Sequence, residues 1–244
     1  MTRRRLPMPR RMSAENFALV QGMRDTKIAL ARWNREPWAV LRPWILLSMA
    51  ICGGLLLAVY GIAKLSTPDA TRYYLPGLQY GADLEDYFHV LYRNSLVLAL
   101  HGMACVAGFM AGSSLPMVAA DRTGVSRWVH EKAGPLAIGF VVCATIFSLT
   151  TQAYVLGGGV STLANQLGLS DGVFLLALAP HAIPELVALF MPLAAWMIAS
   201  RNGDWHELLA ATFVTVGLAV PVLLASAAVE LWVSPRLIAH LAGW

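Results

Sequence analysis

The stretch that decides the fold is Phe174–Ser200, FLLALAPHAIPELVALFMPLAAWMIAS. It exceeds the roughly 20 apolar residues that a helix needs to cross a bilayer. Inside it stand Pro180, His181, Pro184 and Glu185. At i and i+4 on a helix, His181 and Glu185 share one face, about 6 Å apart along the axis. Ionisable side chains at membrane depth are costly and turn toward a bundle interior or a cavity. Each proline removes a backbone donor, which predicts a helix broken at its polar centre.

Composition extends that reading to the whole chain. It is 57% hydrophobic and 13% charged, whereas soluble domains carry about 25% charged residues. The fold class expected is therefore all-α and polytopic. The net charge of +4 does not point to nucleic acid, because ten of the 18 Lys and Arg lie at or before Arg42, ahead of the first apolar run. A basic segment in that place orients the chain and meets lipid headgroups. Cys52, Cys105 and Cys143 lie in apolar runs without CxxC spacing and read as small packing residues. The first apolar run begins only after Arg42, so the first span is expected to stay in the mature protein.

Residues 1–12, with Arg3, Arg4, Arg5, Arg10 and Arg11, read as a basic tail. Ser13 to Trp38 reads as an amphipathic helix with Phe17, Val20, Ile28, Ala31 and Trp38 as its apolar stripe, lying along the membrane face or taking a partner. Five spans follow, at about Pro43–Leu65, Tyr87–Leu115, Pro135–Leu156, Phe174–Ser200 and Trp205–Val233, the last broken at Pro221. Gly53-Gly54, and Gly108 with Gly112, predict close helix contacts. Residues 66–88 hold Asp69, Asp83, Glu85 and Asp86 with Tyr73, Tyr74, Tyr80 and Tyr87, as an outer loop and interfacial belt would. Gly157-Gly158-Gly159 is expected to end span 3 and lead into an outer or re-entrant segment. It is no phosphate loop, since no Lys-Ser/Thr follows. Basic residues concentrate before span 1, in residues 116–134 and at Arg201, against Arg72 and Arg236 on the other side. That asymmetry puts the N-terminus in the cytoplasm and the C-terminus outside. The division expected is a cytoplasmic segment 1–42, a membrane domain 43–236 and a short tail 237–244.

The same topology sorts the polar residues by depth. Arg93, with Asn94 beside it, and Glu230 fall near the outer rim; His101, His181 and Glu185 fall toward the middle. Arg93 and Glu230 read as an ion pair that fixes packing, His101 as a hydrogen-bonded core histidine, and His181 with Glu185 as a bond holding the broken helix. A sharper reading places a divalent metal such as zinc on His181 and Glu185, with Glu185 as ligand or general base. HxxxE is not the HExxH of zinc proteases, and no serine or cysteine nucleophile stands beside it, so no catalytic residue is assigned and enzyme activity is not the leading expectation. An ion- or solute-coupled path through the broken helix is a further alternative, although no second half repeats it.

The stretch Pro180-His181-Ala182-Ile183-Pro184-Glu185-Leu186 resembles the signature helix of the stage II sporulation protein M family. Arg32-Trp33 to Trp38-Ala39-Val40-Leu41 is similar to the lead-in to that family's first span. Arg93-Asn94-Ser95 is similar to the start of its second, and Ala227-Ala228-Val229-Glu230 to Ser234-Pro235 to its closing helix. Ala182 and Pro184 replace the usual glycine and aromatic or aliphatic residue, and Gln152-Ala153 an asparagine-glycine. The resemblance covers roughly residues 30–236. It implies a multi-pass protein of the bacterial inner membrane that anchors a cell-envelope, peptidoglycan-remodelling complex, without implying sporulation. The partners expected are the lipid bilayer, envelope-remodelling proteins through the basic N-terminal helix and residues 66–88, and a second copy of the chain; no cofactor is expected.

Overall fold

The computed structural model describes residues 18–70, 73–120 and 123–243. The basic tail, Phe17, Arg72, Asp121 and Arg122 lie outside them. Among the described residues the chain is helical without a strand: α1 (Ala18–Trp33), α2 (Pro37–Leu65), α3 (Leu84–Phe109), α4 (Leu115–Ala120), α5 (Gly124–Gln166), α6 (Asp171–Asn202), α7 (Leu208–Trp232) and α8 (Ser234–Ala242). Five stretches are long and apolar enough to cross a membrane: Pro37–Leu65, Leu84–Ser113, Gly124–Gln166, Asp171–Asn202 and Trp205–Ala242.

Side-chain contacts fix the relative helix directions. His101 bonds Leu189 O and Cys105 bonds Pro192 O, so α3 and α6 run in parallel. Ser161 donates to Ser66 O at 3.2 Å, while Gly157 lies against Val59 and Ile62, which makes α5 parallel to α2. Lys64 pairs with Asp171 at 3.0 Å, joining the end of α2 to the start of α6. His181 meets Ser234, and Phe174 shares a buried cluster with Ile238, so α7 and α8 run antiparallel to α6. Helices α2, α5 and α7 thus point one way, α3 and α6 the other.

At the centre stands α6, whose residues Ala188 to Trp196 are buried without a break. The break expected at Pro180 and Pro184 is not there. The helix runs unbroken from Asp171 to Asn202 with Pro180, Pro184 and also Pro192 inside it. In hydrocarbon, unwinding would strip further backbone groups of their partners, so a helix missing one bond per proline is the cheaper state. Ser170 caps its start by accepting from Val173 N, and Gly203 ends it at φ 80°.

Other boundaries move for related reasons. Pro37, which lacks an N–H, opens α2, so Trp38 belongs to α2 and not to the amphipathic helix. The buried face of α1 is Gly22, Ala29 and Trp33, whereas the stripe residues Val20, Ile28 and Ala31 are exposed. Trp33 meets Trp44 edge-on with centroids 5.3 Å apart, and Arg32 pairs with Glu207, so α1 is clamped to the end of the bundle where α7 begins.

The triple glycine does not end span 3, because α5 continues through it to Gln166, about 65 Å at 1.5 Å per residue. A Cβ at Gly157 would lie 2.6 Å from Ile62, so this glycine lets α5 and α2 touch. Gly53 and Gly54 have open space around them and support no such contact. Cys52 and Cys105 are buried, but Cys143 is exposed on α5. The last span kinks at Val233 and continues as α8, so residues expected as a tail pack against α6 through Ile238.

Gly108 shows how tight the α3 contact is. A Cβ there would sit 2.7 Å from Leu208 and 2.8 Å from Trp196. Gly108→Leu should therefore cost about 1–3 kcal/mol through overpacking, read as a lower unfolding midpoint in detergent. Gly53→Ala should leave that midpoint unchanged or raise it.

Candidate functional site

The polar residues gather where α3, α6 and the α7–α8 joint meet. Glu185 and Glu230 interact with each other across the α6–α7 contact. One turn further along both helices, His181 Nδ1 and Ser234 Oγ share a hydrogen bond of 2.7 Å. The antiparallel packing makes the two levels register, since four residues separate the members on each helix. From α3, Asn94 faces Glu185 closely enough to interact, and Arg93 acts electrostatically on Glu230 without closing to a direct ion pair. Three atoms here or nearby are wholly buried without a hydrogen-bond partner: Asn94 Nδ2, Glu185 Oε2 and His101 Nε2. The Asn94–Glu185 approach therefore stops short of a well-formed bond.

His101 stands apart from this group. Its ring is fully buried, contacts the Phe190 ring at 5.5 Å between centroids, and bonds Leu189 O at 2.9 Å. A carbonyl only accepts, so Nδ1 carries the hydrogen and the neutral ring presents Nε2 as a bare acceptor. The bond lands beside Ala188, whose carbonyl Pro192 deprives of its helical donor. His101 is thus a bond between α3 and the middle of α6.

Glu230, expected near the outer rim with Arg93, does feel the Arg93 charge; it also lies close enough to Glu185 to act on it, and α8 continues the chain beyond it. His181 shares its hydrogen bond with Ser234, and Glu185 lies close to Asn94 and Glu230. Among the described residues no group of three or more His, Cys, Asp or Glu is placed to hold a metal ion.

No family model matches the chain, and no curated protein and no solved structure matches it.

Sequence reasoning had not singled out Ser234 as a site residue. The signal was present: Ser234 follows Glu230 by the same four residues that separate His181 from Glu185. A shallow cleft of about 330 Å³ lies beside the cluster, between Pro180 and Pro184 of α6 and Pro221 to Val229 of α7.

Because Ser234 is the hydrogen-bond partner of His181, the two should be thermodynamically coupled. A double-mutant cycle of His181→Ala and Ser234→Ala should give a coupling of about 0.5–1.5 kcal/mol, measured by unfolding in detergent. Additive effects would show that the bond contributes nothing.

Proposed function

We propose that the chain is a multi-pass anchor of the bacterial inner membrane, N-terminus in the cytoplasm, that holds together a cell-envelope remodelling assembly. The observation that carries this reading is the closed centre of the bundle, where α6 is buried on every side from Ala188 to Trp196. Helices packed that tightly suit a rigid support. The two ends add docking surfaces: α1 clamped at one, and at the other a loop stapled to the α7–α8 joint. In that loop Gly77, at φ 79°, lies against Leu231 and Pro235, where a Cβ would come within 2.9 Å of the proline ring. Beside it Tyr73, Tyr74 and Tyr80 are exposed. The resemblance of Pro180–Leu186 and Ala227–Pro235 to the stage II sporulation protein M family supports the same role.

One observation favours a second reading. Two half-buried carboxyls close to each other, with Glu185 Oε2 unpartnered, are the kind of group that an ion-coupled transporter places at membrane depth.

A photo-crosslinking residue at Tyr74 should trap peptidoglycan-active proteins in living cells, while the same residue at lipid-facing Leu57 should not. Ion flux in proteoliposomes of the purified protein, abolished by Glu185→Gln, would overturn the anchor reading in favour of transport.

A further inference from the structure

Where α1 meets the start of α2 and the end of α6, the helices leave a pocket of about 200 Å³. Its lining is sorted by depth. Arg32, Asn202, Asp204 and Glu207 come from the ends of α1 and α6 and from the turn into α7, at the rim of the bundle. Val40, Pro43, Ala195 and Ile198 lie one or two turns further along α2 and α6, toward the hydrocarbon. Trp33 and Trp44 line the same pocket and form a corner in it, with their rings at 84°. Two aromatic walls at nearly a right angle beside a carboxylate attract alkylammonium groups, through the negative faces of the rings.

The charges at the rim do not cancel. Arg32 is taken up by Glu207. Asp204 stands at the N-cap of the short turn before α7, yet its carboxylate makes no capping bond there. No side chain among the described residues bonds or pairs with it. Two carboxylates against one guanidinium leave a surplus negative charge in a half-buried place, where an unpaired charge is costly.

We infer that this pocket binds the headgroup of a zwitterionic phospholipid, of the ethanolamine or choline type, with its ammonium between Asp204 and the tryptophan corner. The neighbouring phosphate meets the outer N–H groups of Arg32, whose side chain is 60% exposed. The acyl chains leave past Ala39 and Pro43, which are exposed on α2. An anionic headgroup is a poorer match, because it brings its charge to a surplus of carboxylate. A volume below the roughly 300 Å³ at which sites for drug-sized molecules begin suits a headgroup, and the apolar depth of the lining suits the chain attached to it. The inference goes beyond the anchor reading and requires only that the bundle spans a bilayer.

The test is native mass spectrometry of the purified full chain, with phosphatidylethanolamine and phosphatidylglycerol of identical acyl chains offered at equal concentration. One phosphatidylethanolamine per chain should be retained, about five- to tenfold more than phosphatidylglycerol, the range of a partly exposed ion pair with a charged hydrogen bond. Asp204→Asn should erase that preference, and Asp204→Glu, which keeps the charge, should preserve it. Because no described side chain bonds to Asp204, the unfolding midpoint of both variants in detergent should match that of the natural chain. Equal retention of the two lipids by the natural chain, or a preference that survives Asp204→Asn, would overturn the inference and leave nonspecific headgroup contact. Displacement of the lipid by an equal concentration of free phosphoethanolamine would overturn it in favour of a soluble ligand. None of these outcomes bears on whether Tyr74 contacts envelope proteins, so the anchor reading stands or falls separately.

Discussion

A bilayer core holds no water to satisfy backbone groups, and α6 carries three prolines through it. Around Pro192 the packing of α6 answers that constraint. The helix stays closed because opening it would expose more carbonyls than the prolines already leave bare. Side chains from the parallel neighbour α3 arrive beside the gap that Pro192 leaves at Ala188 O: His101 at Leu189 O, and Cys105 Sγ at Pro192 O, 3.1 Å away. Gly108 makes that approach feasible by leaving room for Trp196 and Leu208. The residues most unusual for a membrane helix are therefore the ones that its neighbours are arranged to meet.

Hydrophobic runs interrupted by charged turns made the five candidate spans legible, because the length of a span is a solvent property that any sequence must obey. Helix boundaries were harder to read, and each miss has a local cause. Gly157 to Gly159 resemble a terminator in isolation, yet the bilayer favours a continuous ladder and α2 needs Gly157 for contact. Pro180 and Pro184 look like breakers because in water a broken helix is cheaply solvated. In α1 a second face was not legible: Gly22, Ala29 and Trp33 meet the bundle, while the stripe residues Val20 and Ile28 remain exposed.

The polar cluster was half legible. Spacing of four residues puts His181 and Glu185 on one face, whereas the topology read from charges puts Glu230 nearer the outer rim, with Arg93. Pairwise partnerships were not accessible, since they depend on rotation of α7 about its axis and on the kink at Val233. Those two angles choose Glu185 for Glu230 and Ser234 for His181. Arg93 reaches the cluster only electrostatically and remains exposed.

The bond between His181 and Ser234 joins residues 53 positions apart, and the later one lies near the end of the chain. A ribosome delivers α6 to the membrane well before Ser234 exists. Until α8 is made, the imidazole sits in the bilayer without its hydroxyl. The polar cluster is thus closed by helices synthesised after the one that carries His181 and Glu185. A chain cut short before residue 230 leaves these polar side chains open in its middle, at the cost that unpartnered polar groups carry in hydrocarbon.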